Sequence, residues 1–330
     1  MSGSTGADPG AKEKYIPPYL RNFTPYTNAE WTQFIDEVER DLEVSKQLYS
    51  CPSIEEPAFT RTIDHTLLKL DTKAVLIDEL CAEARINQFA TVCVRPNFVH
   101  QAVADLRGSG VKVACVVGFH EGTYDLLYKL QYVFLHLLAS PTKLTLSSRE
   151  AKQAILAGAD ELDIVINYPE LIARKYTSIY KELVALRSQA PHPTQLKLIL
   201  ETSQLNRSQI IAGCAMAAAA NFDFVKTSTG FNGPGANEEN VRLMAACCEK
   251  FAEGNGYGRQ RMLVKAAGGI RTLEDAVKML QAGASRLGTS GGVWIAKEAK
   301  EKAEAGWSTN GAVHGEGRRP SMQTRLFTDY

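Results

Sequence analysis

From Thr60 onward, short runs of β-branched and aliphatic residues alternate with longer stretches in which apolar residues recur every three to four positions. A short, nearly continuous apolar run suits a strand buried on both faces, and a 3.6-residue period suits a helix with one face on a core. The strands so predicted are 61–67, 89–94, 112–118, 161–167, 196–201, 222–227, 262–266 and 285–288. The helices are 73–86, 98–106, 149–157, 177–188, 207–220, 238–251, 273–282 and 293–303. Each helix follows its strand, which is the signature of parallel α/β structure, and eight such units predict a (β/α)8 TIM barrel. An open doubly wound sheet would ordinarily carry a G-x-G-x-x-G turn after its first strand, and this chain has none there.

Three segments stand outside the repeat. Residues 1–27, rich in Gly, Pro, Ser and Thr, predict an extended arm. Asn28 is then expected to cap an amphipathic helix over 29–49 whose apolar positions are Trp31, Phe34, Ile35, Val38, Leu42 and Leu48. The predicted division is an N-terminal arm and helix (1–58), the barrel (59–303) and a glycine-rich flexible tail (304–330). The third departure lies inside the barrel: about 30 residues separate Gly118 from the helix near Arg149, where a βα loop usually takes 2 to 6. This atypical insert, 124–148, places Leu127, Leu130, Phe134 and Leu138 roughly on one helical face. It reads either as a genuine lid or partner surface, or as non-coding sequence retained in the gene model.

Composition narrows the function. Lys plus Arg and Asp plus Glu are 37 each among 330 residues, so no electrostatic footprint for nucleic acid or an anionic membrane is present. Residues 210–220 form the longest apolar run, well short of a bilayer span, and MSGSTGADPG lacks the regions of a signal peptide. A cytoplasmic protein is the expectation. The seven cysteines contain no C-x-x-C pair, which argues for reduced thiols and against a disulfide framework or a zinc site.

Chemistry is suggested by ionisable residues inside apolar strands: Asp163 in ELDIVIN, Lys226 in FDFVKTSTG and Lys265 in MLVKAAGGIR. An unpaired charge there is costly. Taken singly, each could be a snorkelling or ion-paired structural group. Together they match lysine chemistry. A lysine attacks a carbonyl only when neutral, a neighbouring ammonium disfavours its charged form, and a carboxylate with a bound water can move the protons of a Schiff base. Lys197 and Glu201, on either side of Ile199, are expected to share one face of strand five, either as a supporting charge shell in the barrel or in a paired structural role. Gly268, Gly269 and Arg271 precede the helix after strand seven, and Gly288, Thr289, Ser290, Gly291 and Gly292 follow strand eight. Those two loops are where many such barrels hold phosphate. His65 and His120 sit at strand ends with no metal-ligand spacing.

The runs FVKTSTGFNGPGA, VKAAGGIRT, GADELDIVINY, LKLILETSQL, VCVRPNF, VVGFHEGT and RLGTSGGV closely resemble the deoxyribose-phosphate aldolase family, from about Thr60 to Ala296. The resemblance implies a class I aldolase that cleaves 2-deoxy-D-ribose 5-phosphate reversibly to glyceraldehyde 3-phosphate and acetaldehyde, in deoxyribose phosphate catabolism, with no metal and no organic cofactor. It implies Lys226 as the Schiff-base lysine, Lys265 as the lysine that tunes it and Asp163 as the proton-relay acid. Asp64 in TIDHTLL matches an acid near the substrate hydroxyl and Cys93 a thiol near the site. Thr229, Gly230, Gly268, Gly269, Arg271, Gly288, Thr289 and Ser290 match the substrate- and phosphate-binding segments. Phe231 stands where some members carry lysine, and His120 where many carry proline. The implied partner is a small phosphosugar, with neither nucleic acid nor membrane, and homo-oligomerisation is left open. A transaldolase-like phosphosugar enzyme and a non-catalytic phosphate-binding barrel are the competing readings.

Overall fold

The computed structural model describes residues 27–120, 122, 146–253 and 261–307. The insert's apolar positions, the arm before Thr27 and the tail beyond Trp307 lie outside them. In chain order the elements are α1 (Asn28–Asp41), α2 (Pro57–Thr60), β1 (Ile63–Thr66), α3 (Ala74–Asn87), β2 (Thr91–Val94), α4 (Val99–Asp105), β3 (Lys112–Val117) and α5 (Leu146–Leu156). There follow β4 (Glu161–Val165), α6 (Tyr168–Ile172), α7 (Tyr176–Gln189), β5 (Gln195–Ile199), α8 (Arg207–Ala219), β6 (Phe224–Lys226), α9 (Glu238–Glu253), β7 (Leu263–Ala267), α10 (Leu273–Gln281), β8 (Arg286–Thr289) and α11 (Gly292–Glu304).

Every strand pairs in parallel with the next, and β8 returns to β1 to close an eight-stranded barrel. Because side chains alternate along a strand, the sheet sorts its residues into two populations. Ile63, Val92, Leu162, Leu196, Val225 and Leu287 point outward and join the helices in one continuous core. Cys93, Ala114, Val116, Val165 and Ile199 point inward and form, with Leu68 and Phe119, a separate apolar cluster inside the barrel. The remaining inward positions carry charge. Among the described residues no helix is long and apolar enough to cross a membrane.

The N-terminal helix lies outside the repeat but inside the core. Trp31, Phe34, Ile35, Val38 and Leu42 are all buried, with Trp31 5.5 Å from the Tyr180 ring of α7 and Phe34 6.3 Å from Phe251 of α9. Two expectations are corrected here. The N-cap is Thr27, whose hydroxyl accepts from the Glu30 N–H while the Glu30 carboxylate accepts from the Thr27 N–H. Asn28 instead accepts from the backbone of Thr177. The helix also ends at Asp41, not Tyr49. Beyond it the chain runs across α9 and α10, where Gln281 O accepts from the Tyr49 N–H and Gln47 O accepts from Arg242. Tertiary partners there take the backbone groups that another turn of helix would have used. At the other end, α11 runs to Glu304 and Trp307 packs against the core. Leu146 to Ser148, assigned above to the insert, belong to α5.

Replacing Trp31 by Ala should therefore destabilise the whole barrel, by roughly 3 to 5 kcal/mol. Urea denaturation checks this: the expected result is a lower midpoint for a single transition, with catalytic function kept well below that midpoint.

Candidate active site

Inside the barrel, alternation along each strand brings seven ionisable side chains together. Lys226 Nζ lies 2.9 Å and Lys265 Nζ 2.7 Å from the same oxygen, Asp163 Oδ2, and Lys197 Nζ lies 2.6 Å from Oδ1. Lys197 also meets Glu161 Oε2 at 2.6 Å and Asp64 Oδ2 at 3.8 Å. Lys265 reaches Asp64 Oδ2 at 2.5 Å, and Arg286 Nη1 reaches Asp64 Oδ1 at 2.6 Å and Glu161 Oε2 at 3.4 Å. The set holds four cations (Lys197, Lys226, Lys265, Arg286) and three carboxylates (Asp64, Glu161, Asp163). Lys226 is 3% exposed, Arg286 14%, and the others not at all.

Burial alone would raise the Asp163 carboxyl, but the ammonium groups of Lys197, Lys226 and Lys265 outweigh it and hold it well below the ordinary carboxylate range. Asp64 is depressed in the same way, by Arg286, Lys265 and Lys197 against its burial. Burial would lower Lys265, yet Asp163 and Asp64 raise it above its ordinary value. Lys197 is raised likewise, chiefly by Asp163 and Glu161. Cys93, donating its thiol to Asp163 Oδ2 at 3.9 Å, is pushed up to about 11 by burial and by that carboxylate. It is therefore a neutral thiol near neutral pH.

Above this network opens a cavity of about 310 Å³ with Lys226 in its floor. One wall is backbone. Gly230, Gly268 and Gly269 all have positive φ, at 87°, 88° and 77°, a conformation that glycine takes without Cβ strain. Gly235 packs against Gly268 so closely that a Cβ there would overlap the Gly268 carbonyl. The Thr289 hydroxyl donates to Ile270 O at 2.6 Å and accepts from the Gly291 N–H at 2.8 Å, tying the β7 and β8 loops together. α11 starts with no side-chain cap and no acid in its first turn, which leaves its N–H groups available to an anion. Arg271 lines the same wall. The arrangement suits a phosphate group held above a lysine.

Lys226, Thr229, Gly230, Gly268, Gly269, Arg271, Gly288, Thr289 and Ser290 all line this one cavity, and Asp163 and Lys265 lie directly under Lys226. Asp64 and Cys93 do not line it. Both face inward below the cavity, fully buried, Asp64 held by Lys265 and Arg286 and Cys93 set in the inner apolar cluster. Lys197 joins the buried charges as a supporting shell, but Glu201 does not share its face. β5 ends at Ile199, and Glu201 takes φ 59°, which breaks the alternation. Its carboxylate accepts instead from the Thr229 N–H, the Thr229 hydroxyl and Asn232 Nδ2, bracing the loop that carries Gly230.

The two histidines differ in their surroundings. His65 Nε2 lies 2.7 Å from Glu83 Oε2, and both residues line the cavity. His120 stacks on Phe231, with ring centroids 5.3 Å apart and planes 4° from parallel. Glu161 and Arg286 escaped the sequence reading. The signal for Glu161 was its spacing of two before Asp163, which puts it on the same face of β4.

Residues 60–315 match the model of the DeoC/LacD family aldolases. A deoxyribose-phosphate aldolase of Coccidioides immitis is 45% identical over 273 residues, covering 83% of this chain and 92% of that protein. Deoxyribose-phosphate aldolase 1 of Vibrio vulnificus is 40% identical, covering 71% and 93%. Among solved structures, a Coccidioides immitis chain superposes with a TM-score of 0.72 over 83% of this chain and 98% of its own, at 45% identity. The tetrameric deoxyribose phosphate aldolase of Aeropyrum pernix gives 0.61 over 75% and 94%, at 26% identity.

The backbone cradle makes a specific demand at Gly235. Gly235→Ala forces Gly268 to move, and it should weaken inorganic phosphate binding by about tenfold, roughly the loss of one charge-assisted hydrogen bond. Isothermal titration with phosphate reads the change, and unaltered affinity would show that this wall does not hold the anion.

Proposed function

The chain belongs to the DeoC/LacD family of aldolases, and from that premise we propose that it cleaves 2-deoxy-D-ribose 5-phosphate reversibly to D-glyceraldehyde 3-phosphate and acetaldehyde through a Schiff base on Lys226. The observation that carries the reading is that Lys226 and Lys265 share one oxygen of Asp163 at the floor of a cavity walled by glycine backbone. A lysine beside a second buried cation and a phosphate cradle are the two parts this reaction needs.

The proposed sequence runs as follows. The neutral Lys226 amine adds to C1 of the open-chain sugar, and loss of water leaves an iminium that serves as electron sink. A base takes the C3 hydroxyl proton, the C2–C3 bond breaks, and glyceraldehyde 3-phosphate leaves with the electron pair kept in an enamine. Protonation of the enamine at C2 and hydrolysis of the new iminium release acetaldehyde and restore the lysine. Asp163, 2.9 Å from Lys226 Nζ and beneath the reacting atoms, is assigned the proton relay through a water. Lys265, on the same carboxylate oxygen, supplies the positive charge that disfavours a second ammonium beside it. The glycine loops, Arg271 and the α11 N-terminus are assigned the phosphate, which stays on the three-carbon product. Phe231, which lines the cavity and stacks on His120, brings no cation to this edge, so the phosphate is assigned to backbone donors and Arg271.

Asp64 and Cys93 are assigned supporting parts. Asp64 acts from below by holding Lys265, and Cys93 belongs to the apolar packing that keeps water from the network. The proposal includes a cytoplasmic role in deoxyribose phosphate breakdown. It also includes self-association, supported by the tetrameric Aeropyrum pernix relative and tested by light scattering on the purified chain.

A retro-aldol assay with deoxyribose 5-phosphate tests the reading. The unsubstituted chain should turn over. Lys226→Arg keeps the charge but cannot form the imine, and it should fall below about a hundredth of the parent kcat. Normal turnover by that variant removes Lys226 from its role. Lys265→Leu removes a neighbouring cation, makes protonation of the nucleophile easier, and should move the acid limb of kcat/KM to higher pH. A limb that stays in place would assign the tuning to desolvation.

A further inference from the structure

The reading of Lys226 leaves one cation of the network without a part. Arg286 opens β8, two residues before Gly288, and does not line the cavity. Its Nη1 bridges Asp64 Oδ1 at 2.6 Å and Glu161 Oε2 at 3.4 Å, and its guanidinium lies over the Phe224 ring at 5.4 Å. From it a continuous chain of contacts runs to the cavity floor: Arg286 to Asp64, Asp64 to Lys265 at 2.5 Å, Lys265 to Asp163 at 2.7 Å, and Asp163 to Lys226 at 2.9 Å.

We propose that Arg286 is a positioning residue for the lysine chemistry: anchored on Asp64 and Glu161, it supplies the surplus positive charge that obliges one amine of the buried set to be neutral, and the contacts assign that neutral amine to Lys226. The inference rests on the reading of Lys226 as the nucleophile. Four cations face three carboxylates, so the fully protonated set carries one uncompensated charge in a region almost closed to water, a costly state that loss of a single proton relieves. Arginine cannot be the group that loses it. Of the three lysines, Lys197 contacts Asp64, Glu161 and Asp163, Lys265 contacts Asp64 and Asp163, and Lys226 contacts Asp163 alone. The amine with fewest carboxylates surrenders least attraction on becoming neutral, and it is also the one that opens to the cavity.

The other groups facing the set add no ion pair to it. Cys93 approaches Asp163 as a neutral thiol, and the Glu201 carboxylate, bound to Thr229 and Asn232, offsets part of the surplus felt by Lys226 but pairs with none of the four cations among the described residues. Phe224 of β6 and Thr91 of β2 carry no charge. An arginine rather than a lysine at the head of β8 therefore has a chemical consequence: it is a permanent charge in a cluster whose proton count decides activity.

The test uses two substitutions of opposite sign. Arg286→Met keeps bulk over Phe224 but deletes a cation, and it should raise the acid limb of the kcat/KM profile by roughly 0.5 to 1 pH unit. Glu161→Gln deletes an anion and should lower that limb by a similar amount, while Arg286→Lys, which keeps the charge, should restore it to near the parent position. Neither residue touches the cavity, so KM for deoxyribose 5-phosphate should change less than twofold at pH values above the limb. The substrate's own ionisation is common to all variants and cancels in the comparison. A packing role alone would lower stability without moving the limb. Should Arg286→Met fail to fold, the sign of the shift in Glu161→Gln decides. Folded variants whose limbs stay in place, or move in the same direction, overturn the inference. If Lys265→Leu moves the limb and these variants do not, the reading of Lys226 stands and the inference alone falls. Normal turnover by Lys226→Arg takes both down.

Discussion

Everything at this site depends on holding seven ionisable groups inside a protein barrel. Charges removed from water survive only when their partners are close and correctly oriented, and removing one partner of such a set is far more damaging than replacing the whole set by apolar residues. The barrel meets that condition through strand register. Asp163 sits level with Lys197 on the neighbouring strand, Lys226 level with Lys265, and Lys265 level with Arg286. Adjacent strands thus deliver opposite or competing charges to the same depth. The apolar half of the barrel interior, Cys93, Ala114, Val116, Val165 and Ile199 among it, keeps solvent from relaxing the imbalance. A network of this kind is poor as a source of stability and well suited to forcing one amine toward its neutral form.

The cavity adds recognition to that reactivity. The wall assigned to phosphate is built from backbone, with three glycines in a conformation other residues avoid and two loops tied by the Thr289 hydroxyl. Backbone donors need no reorganisation when an anion arrives, so the wall is set before substrate binds. Glu201 contributes from the next layer out by bracing the Thr229 loop rather than by touching the buried charges. Charge and cradle thus come from different depths of the same barrel, the lysines from within β5 to β7 and the cradle from the loops after β6, β7 and β8.

How much of this was legible in the sequence follows from what each residue type signals. The strands were readable because parallel strands buried on both faces are nearly continuous apolar runs, and Asp163, Lys226 and Lys265 stood out because a charge inside such a run demands a reason. Glu161 and Arg286 passed unnoticed because they open their strands, where charged residues are commonplace and depth in the barrel cannot be judged from one chain alone. Asp64 and Cys93 stand in strands the sequence marks, but their level below the cavity depends on inter-strand stagger, which local sequence does not encode. Glu201 was misplaced because a single left-handed residue after Ile199 ends the alternation that the prediction assumed. The N-terminal helix was overextended because Leu48 continues the apolar pattern, whereas tertiary hydrogen bonds at Gln47 and Tyr49 hold that segment off the helix.

The central claim is that the surplus charge of this buried set makes Lys226, and neither of its lysine neighbours, the amine that bonds to an aldehyde. The most direct measurement is to incubate the protein with acetaldehyde and borohydride, digest it, and locate the modified residue by mass spectrometry. The account predicts a stable ethyl group on Lys226 alone, absent from Lys226→Arg. Modification at Lys197 or Lys265 instead, or no modification in a protein that turns over deoxyribose 5-phosphate, would contradict it.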